Sequence, residues 1–147
     1  MEFSWTSLKI SIAGAKLSHL SRKDKIWDHG SMTEQARIIF YLVQRAKANG
    51  SVDSLRKHCS VACFEKLKIE MERANIVDSV LIKNPVIKVI AITDVVPGKR
   101  NKPDMFSALI NGISKDEPAE KFKAHCTFVR HGEWWMLGSI KIKQPGF

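Results

Sequence analysis

The run FKAHCTFVRHGEWWMLGSIKI, residues 122–142, decides the architecture. Its apolar residues alternate on both sides of a His131-Gly132 turn, the period-two signature of paired strands. On the first strand Phe122, Ala124, Cys126 and Phe128 share a face. On the second, strict alternation turns Trp134, Met136, Gly138, Ile140 and Ile142 to the matching face and Trp135 and Leu137 away from it. The expected element is a buried C-terminal β-hairpin.

Upstream, MFSALINGIS (105–114) reads as a further strand, joined to the hairpin by the loop SKDEPAE, and PGKRNKPD (97–104) as a polar hairpin loop. Before it, Val86, Ile90 and Ile92 oppose Ile87, Val89, Ala91 and Thr93 in a strand apolar on both faces, which implies a central position in the sheet. Asn84-Pro85 separates these strands from a helical half. There Ser31-Met32-Thr33-Glu34 has capping-box spacing, Ala36, Ile39, Phe40 and Val43 follow at helical intervals, and Asn49-Gly50 supplies a left-handed stop. Ser51 and Asp53 open a second helical segment, striped by Leu55, Cys59, Ala62, Phe64, Leu67 and Met71 as far as about Asn75, with a break expected near Ser60. Residues 1–26 read as an amphipathic basic arm in which Leu8, Ile10 and Ile12 alternate as in a strand while AKLSHL suits a helix; a mainly helical arm is expected, anchored to the body by Trp27. Helices followed by about four antiparallel strands make residues 27–147 an α+β domain, its N-terminal helices packed on a twisted, cone-like sheet.

At 147 residues, 44% hydrophobic and 27% charged, the chain has the composition of a single globular domain able to bury about two-thirds of its unfolded surface. The longest apolar run, PVIKVIAITDVVP, is broken by Lys88 and Asp94 and falls short of the ~20 residues that span a bilayer. The N-terminus lacks the apolar core and small-residue cleavage site of a secretory signal. Cys59, Cys63 and Cys126 show no metal-ligand spacing, and their odd number favours a reducing compartment. The expected location is cytoplasmic or peripheral to the inner face of a membrane. The net charge of +9 is diffuse: residues 1–30, 31–97 and 98–147 carry +2, +3 and +4. Such a distribution attracts polyanions without marking a groove.

Two segments carry a family resemblance: ARIIFYLVQRAKANGSVDSLRKHCSVACFEKLKIEM (36–71) and the hairpin itself. They resemble the family's aromatic, Gln-Ala, Gly/Asp turn, Leu-Arg and Phe-x-x-Leu series, and its aromatic-Phe-x-Arg, turn, Trp-x-Leu-x-x-Ile ending. The chain thus resembles, over residues 27–143, the C-terminal domain of the mitochondrial inner-membrane import-motor scaffold, a mitochondrial large-ribosomal-subunit protein and small bacterial relatives. All lie in the nuclear-transport-factor-two-like superfamily. The resemblance implies a cone fold acting as a binding module near membranes, translocation machinery or ribosomes. Cys126 stands where the family usually has tryptophan, and the chaperone-binding region of the import scaffold has no counterpart, so import-motor function is not carried over.

Enzymatic members of the superfamily place an Asp, His or Tyr inside the cone. The candidates here are Tyr41, Asp94, His125 and His131, which form no recognisable acid–base pair. Tyr41 reads as core, Asp94 as a strand-end surface carboxylate, His125 as facing away from Phe122 and Phe128, and His131 as a solvent-exposed turn residue. His58-Cys59 and His125-Cys126 are adjacent pairs that diverge rather than converge on one ion, so no metal or other cofactor is expected. The binding candidates are Arg22, Lys23 and Lys25 beside the arm, Lys99, Arg100 and Lys102 in the first hairpin loop, Lys141 and Lys143 on the last strand, and an outward Trp135, which suits either a partner surface or a covering by the N-terminal arm. Together they suit a protein partner or homodimer and an anionic membrane surface. Nucleic acid is less favoured, since it needs the three basic clusters to converge on one face. The expected function is therefore a non-enzymatic binding or scaffold module; a small isomerase- or dehydratase-type enzyme and a ribosome- or RNA-associated protein are the alternatives.

Overall fold

The computed structural model describes residues 5–72, 82, 84–115 and 119–143. Three helices, α1 (Trp5–Leu20), α2 (His29–Asn49) and α3 (Val61–Glu72), precede four strands, β1 (Pro85–Val96), β2 (Met105–Ser114), β3 (Glu120–His131) and β4 (Trp134–Lys143). The strands form one antiparallel sheet in the order β1-β2-β3-β4. The α+β architecture read from the periodicities is the one observed.

The helix boundaries follow local chemistry. α2 begins two residues before Ser31, because the Asp28 carboxylate accepts from Ser31 N–H at 2.8 Å and is the N-cap. A carboxylate there also complements the helix dipole. The Ser31 hydroxyl instead accepts from Gln35 Nε2 at 2.9 Å. Gly50, at φ 73°, ends α2 as anticipated. A 3-10 turn over Asp53–Leu55 follows, and Ser60 caps α3 by accepting from Cys63 N–H at 3.2 Å. The expected end of this segment near Asn75 lies outside the described residues.

Strand phases differ from strict alternation at three places. β1 carries irregularities between Ile87 and Val89 and between Ile92 and Asp94, so its buried side is Ile87, Ile92 and Val95 with Ile90 packed against them. It is an edge strand and not a central one. Its second apolar side reflects α1, which lies along it and contributes Ala13 and Leu17 to the buried cluster. Two side chains close the β1 edge against further pairing: Tyr41 Oη accepts from Ile87 N–H at 3.1 Å, and Lys16 Nζ donates to Val95 O at 3.5 Å.

The third irregularity is in the C-terminal hairpin. Thr127 pairs with Ser139 but Phe128 pairs with Leu137, leaving Gly138 as an extra residue. Below this bulge Ile140 and Ile142 pack on the core as expected; between it and the turn every side chain changes face. Trp135 is consequently 2% exposed and Trp134 63% exposed, the reverse of the alternation reading. Glycine suits the position because a Cβ there would stand 2.9 Å from Val129 Cγ2 and 3.3 Å from Thr127 O.

The core is aromatic at both ends of the sheet. Phe40 of α2 stacks on Phe122 of β3 at 5.5 Å, and Phe106 stacks on its cross-strand partner Phe128 at 4.7 Å. Trp135 meets Phe106 edge-on at 4.7 Å and Trp27 at 5.2 Å, and its indole N–H donates to Ile26 O at 3.2 Å. Trp27 does anchor the arm, and the element it grips is Trp135. Each such ring pair adds about 0.5–1.5 kcal/mol beyond the area it buries.

Two glycines test this packing in opposite directions. A methyl group on Gly112 would collide with the Val86 carbonyl oxygen and with Phe122 Cζ at 2.6 Å, whereas one on Gly14 in α1 meets nothing within 4 Å. In urea unfolding, Gly112→Ala should lose about 1–3 kcal/mol by overpacking. Gly14→Ala should gain up to about 1 kcal/mol from helix propensity.

Candidate anionic-surface interface

The sheet face carrying Phe106, Ile110, Phe122 and Phe128 is buried under the helices, so the alternate residues form the outward face. On β3 these are Lys121, Lys123, His125 and Thr127; on β4, below the bulge, they are Ser139, Lys141 and Lys143. Register then sets Lys123 directly opposite Lys143 and His125 directly opposite Lys141. Directly opposed side chains on one face have Cβ atoms roughly 5 Å apart, and like charges so placed are destabilising. Among the described residues the ion pairs are Arg37–Glu34, Arg130–Asp24 and Arg130–Asp104, and none of them involves a lysine of this strip.

His125 registers the resulting field. Partial desolvation, followed by the charges of Lys143, Lys123, Lys9 and Lys141, holds its pKa below the ordinary histidine value. Lys9 comes from α1, whose first half borders this face: Lys9 and Ile12 line a hollow of about 480 Å³ with Thr93, Asp94, Ser107, His125 and Thr127. A second hollow of about 450 Å³ has an apolar floor at Gly112, Ile113 and Phe122 and is rimmed by Lys88, Lys121, Lys123 and Lys143.

Helical geometry gives α1 a second stripe roughly a third of a turn from its buried one. Trp5, Leu8 and Ile12 follow at intervals of three and four, flanked by Lys9 and Lys16. Trp5 is 74% and Ile12 48% exposed. Exposed apolar residues therefore stand beside the lysine strip. Among the described residues no helix is long and apolar enough to cross a membrane.

Of the nine expected binding residues, Lys141 and Lys143 lie on this face. Lys99, Arg100 and Lys102 occupy the β1–β2 loop, at the opposite end of the sheet. Arg22, Lys23 and Lys25 lie in the α1–α2 connection at that same far end, because Arg130 of β3 binds both Asp24 (2.8 Å) and Asp104 (3.0 Å). At about 3.3 Å per residue the two ends are roughly 30 Å apart, so the three clusters do not converge. This corner is partly neutralised, and Arg130 holds the Asp24 carboxyl below its ordinary range. Trp135 is corrected from surface to core, for the reason given by the Gly138 bulge. Lys9, Lys88, Lys121 and Lys123 are not among the binding residues expected from sequence, and His125 is expected there only as a catalytic candidate facing away from Phe122 and Phe128, although Lys-x-Lys-x-His at 121–125 and Lys-x-Lys at 141–143 carry the period-two signal on the polar face.

The titratable candidates for catalysis remain apart from one another in chemistry. Tyr41 is half-buried with its hydroxyl engaged by Ile87, and His131 is exposed at the hairpin turn. Asp94 and His125 border the same hollow with Ser107 between them, but Asp94 Oδ1 accepts from Val95 N–H, and no hydrogen bond joins the three among the described residues. Cys59, Cys63 and Cys126 are buried free thiols, and burial pushes Cys126 up to about 12. No protein-family model matches the chain, and no curated protein matches it significantly.

The lysine field makes a titration prediction. Because the folded-state pKa of His125 is depressed, the unfolded chain takes up the proton first as pH falls through about 6.5. Stability must therefore decline on acidification across that window. Replacing Lys123 and Lys143 together by Gln should move the His125 NMR titration upward and shrink the acid-side loss of stability. An unmoved titration would show that these lysines do not act on His125.

Proposed function

We propose that this chain is a non-enzymatic binding module of the import-scaffold-like type, resting on an anionic membrane surface through the lysine strip and the first half of α1. The single observation carrying this reading is the like-charged cross-strand pair Lys123 and Lys143, with Lys121 and Lys141 on the same face, none of them in an ion pair among the described residues, beside exposed apolar residues of a helix. A fold that bears this repulsion in isolation is relieved of it by an anionic surface.

The magnitudes suit reversible attachment. A lysine close to an anionic leaflet contributes about 1 kcal/mol, so Lys9, Lys121, Lys123, Lys141 and Lys143 contribute roughly 5 kcal/mol together. Burying Ile12 and Trp5 in the interface contributes a few kcal/mol more. Either contribution alone leaves attachment marginal once the cost of immobilisation is met.

RNA is the weaker reading. Sheets that bind single-stranded RNA use aromatic platforms on the exposed face, and the outward residues here are Ser107, Leu109, Asn111 and Ile113 on β2 and Lys121, Lys123, His125 and Thr127 on β3. Catalysis is weaker too, since the candidate Asp, His and Ser side chains share a hollow on the outside of the sheet without mutual hydrogen bonds.

Vesicle sedimentation tests the reading. The protein should pellet with phosphatidylcholine vesicles containing phosphatidylserine and not with phosphatidylcholine alone, and binding should fall steeply between about 50 and 200 mM salt. Lys123→Glu with Lys143→Glu should weaken it at least about tenfold, and the uncharged replacement Ile12→Ser should weaken it without altering the salt slope. Equal binding to both vesicle types, or an unaffected double variant, would refute the proposal; tighter binding to oligouridylate than to the vesicles would favour RNA.

A further inference from the structure

We infer that the groove along the free edge of β4 docks the apolar stripe of an acidic amphipathic helix from another protein. The groove has a volume of about 610 Å³ and lies between α2, the segment preceding α3 and the first residues of β4. Its apolar walls are Ile38 and Ile39 of α2 and Trp134 and Met136 of β4. Trp134 at 63% and Ile38 at 48% exposed stand up as ridges rather than closing over a cavity, which suits side chains inserted from a macromolecule better than an enclosed small ligand.

The edge itself dictates how a partner binds. An added strand needs unpaired main-chain groups. Here Trp135 N–H donates to Gln35 Oε1 at 2.9 Å, Leu137 N–H donates to His58 O at 2.7 Å, and Leu137 O accepts from Ser60 N–H at 2.9 Å. With these positions engaged, the groove offers side-chain pockets and not a template, which is the helix-in-groove mode.

Charge selects among helices. The charged lining is Arg56 and Lys57 against the lone carboxylate of Glu133, with the imidazoles of His58 and His131 beside them, and the Arg56 guanidinium is held 4.6 Å over the Phe64 ring. A second copy of this chain fits poorly, because the exposed stripe of α1 carries Lys9 and Lys16 and the whole chain is +9. A helix with Glu and Asp flanking its apolar stripe meets the opposite sign. Trp134 and Lys143 are separated by the length of β4, roughly 30 Å, so the groove stays open while the lysine strip is occupied. The inference thus goes beyond the membrane reading and does not depend on it.

Two synthetic helical peptides of about 18 residues with the same Leu stripe, one with Glu and one with Lys on the polar positions, test it by fluorescence anisotropy. The Glu peptide should bind and the Lys peptide should not. Trp134→Ala and Ile38→Ser, both at exposed positions, should each weaken binding at least about tenfold with an unchanged circular dichroism spectrum. Lys123→Glu with Lys143→Glu should leave the peptide affinity unchanged, which separates this site from the vesicle site. Binding of neither peptide, equal binding of both, or insensitivity to Trp134→Ala and Ile38→Ser would overturn the inference.

Discussion

The bulge at Gly138 is the constraint on which the rest of the structure depends. One extra residue in β4 lets a single strand serve two different environments. Toward the turn it sends Trp135 and Leu137 inward and Trp134 outward; toward the C-terminus it keeps Ile140 and Ile142 on the core and Lys141 and Lys143 on the outward face. In regular alternation, Trp135 would leave the aromatic cluster and Trp134 would leave the groove. The groove thus owes its Trp134 wall to one backbone irregularity, whereas Lys141 and Lys143 keep the phase of regular alternation.

From Trp135 the consequences pass to the N-terminal half. Its ring contacts Trp27 and Phe106, and its indole N–H holds the Ile26 carbonyl, so the turn joining α1 to α2 is fastened to the sheet. Arg130 reinforces the same corner through Asp24 and Asp104. Fastened there, α1 runs along β1 and brings Lys9 to His125. The charge pattern on the outward face is therefore assembled from elements more than a hundred residues apart in sequence, and it is the core packing that sets its geometry. The repulsion between Lys123 and Lys143 is a local cost that the aromatic core offsets.

Much of the fold was legible from period alone. The helical half, the Gly50 stop, the break at Ser60, the four strands and the inward Phe122–Phe128 series all follow from spacing and turn chemistry. What escaped was phase and neighbourhood. A bulge leaves alternation intact on each side of it, so the apolar residues Trp134, Trp135, Met136 and Leu137 fit either phase, and only the Val129 and Thr127 atoms beside Gly138 decide between them. The two-sided apolar character of β1 signalled a covered strand, but sequence could not say that the cover was α1 and Tyr41 rather than another strand. Asp28 outcompeted Ser31 as the cap of α2 because its carboxylate reaches the Ser31 amide from one turn earlier. For the candidate site, basic residues were sought where they cluster along the chain, whereas the structure gathers them across strands, Lys123 with Lys143 and His125 with Lys141.

The central claim is the phase of β4, and solvent accessibility of the individual tryptophans tests it most directly. The chain has four, Trp5, Trp27, Trp134 and Trp135, and fluorine NMR of 5-fluorotryptophan-labelled protein, assigned by single Trp→Phe variants, resolves them one by one. With a soluble paramagnetic probe, the Trp134 and Trp5 signals should broaden while Trp135 and Trp27 stay sharp. A sharp Trp134 with a broadened Trp135 would mean that β4 alternates regularly, and the groove would then have to be redrawn.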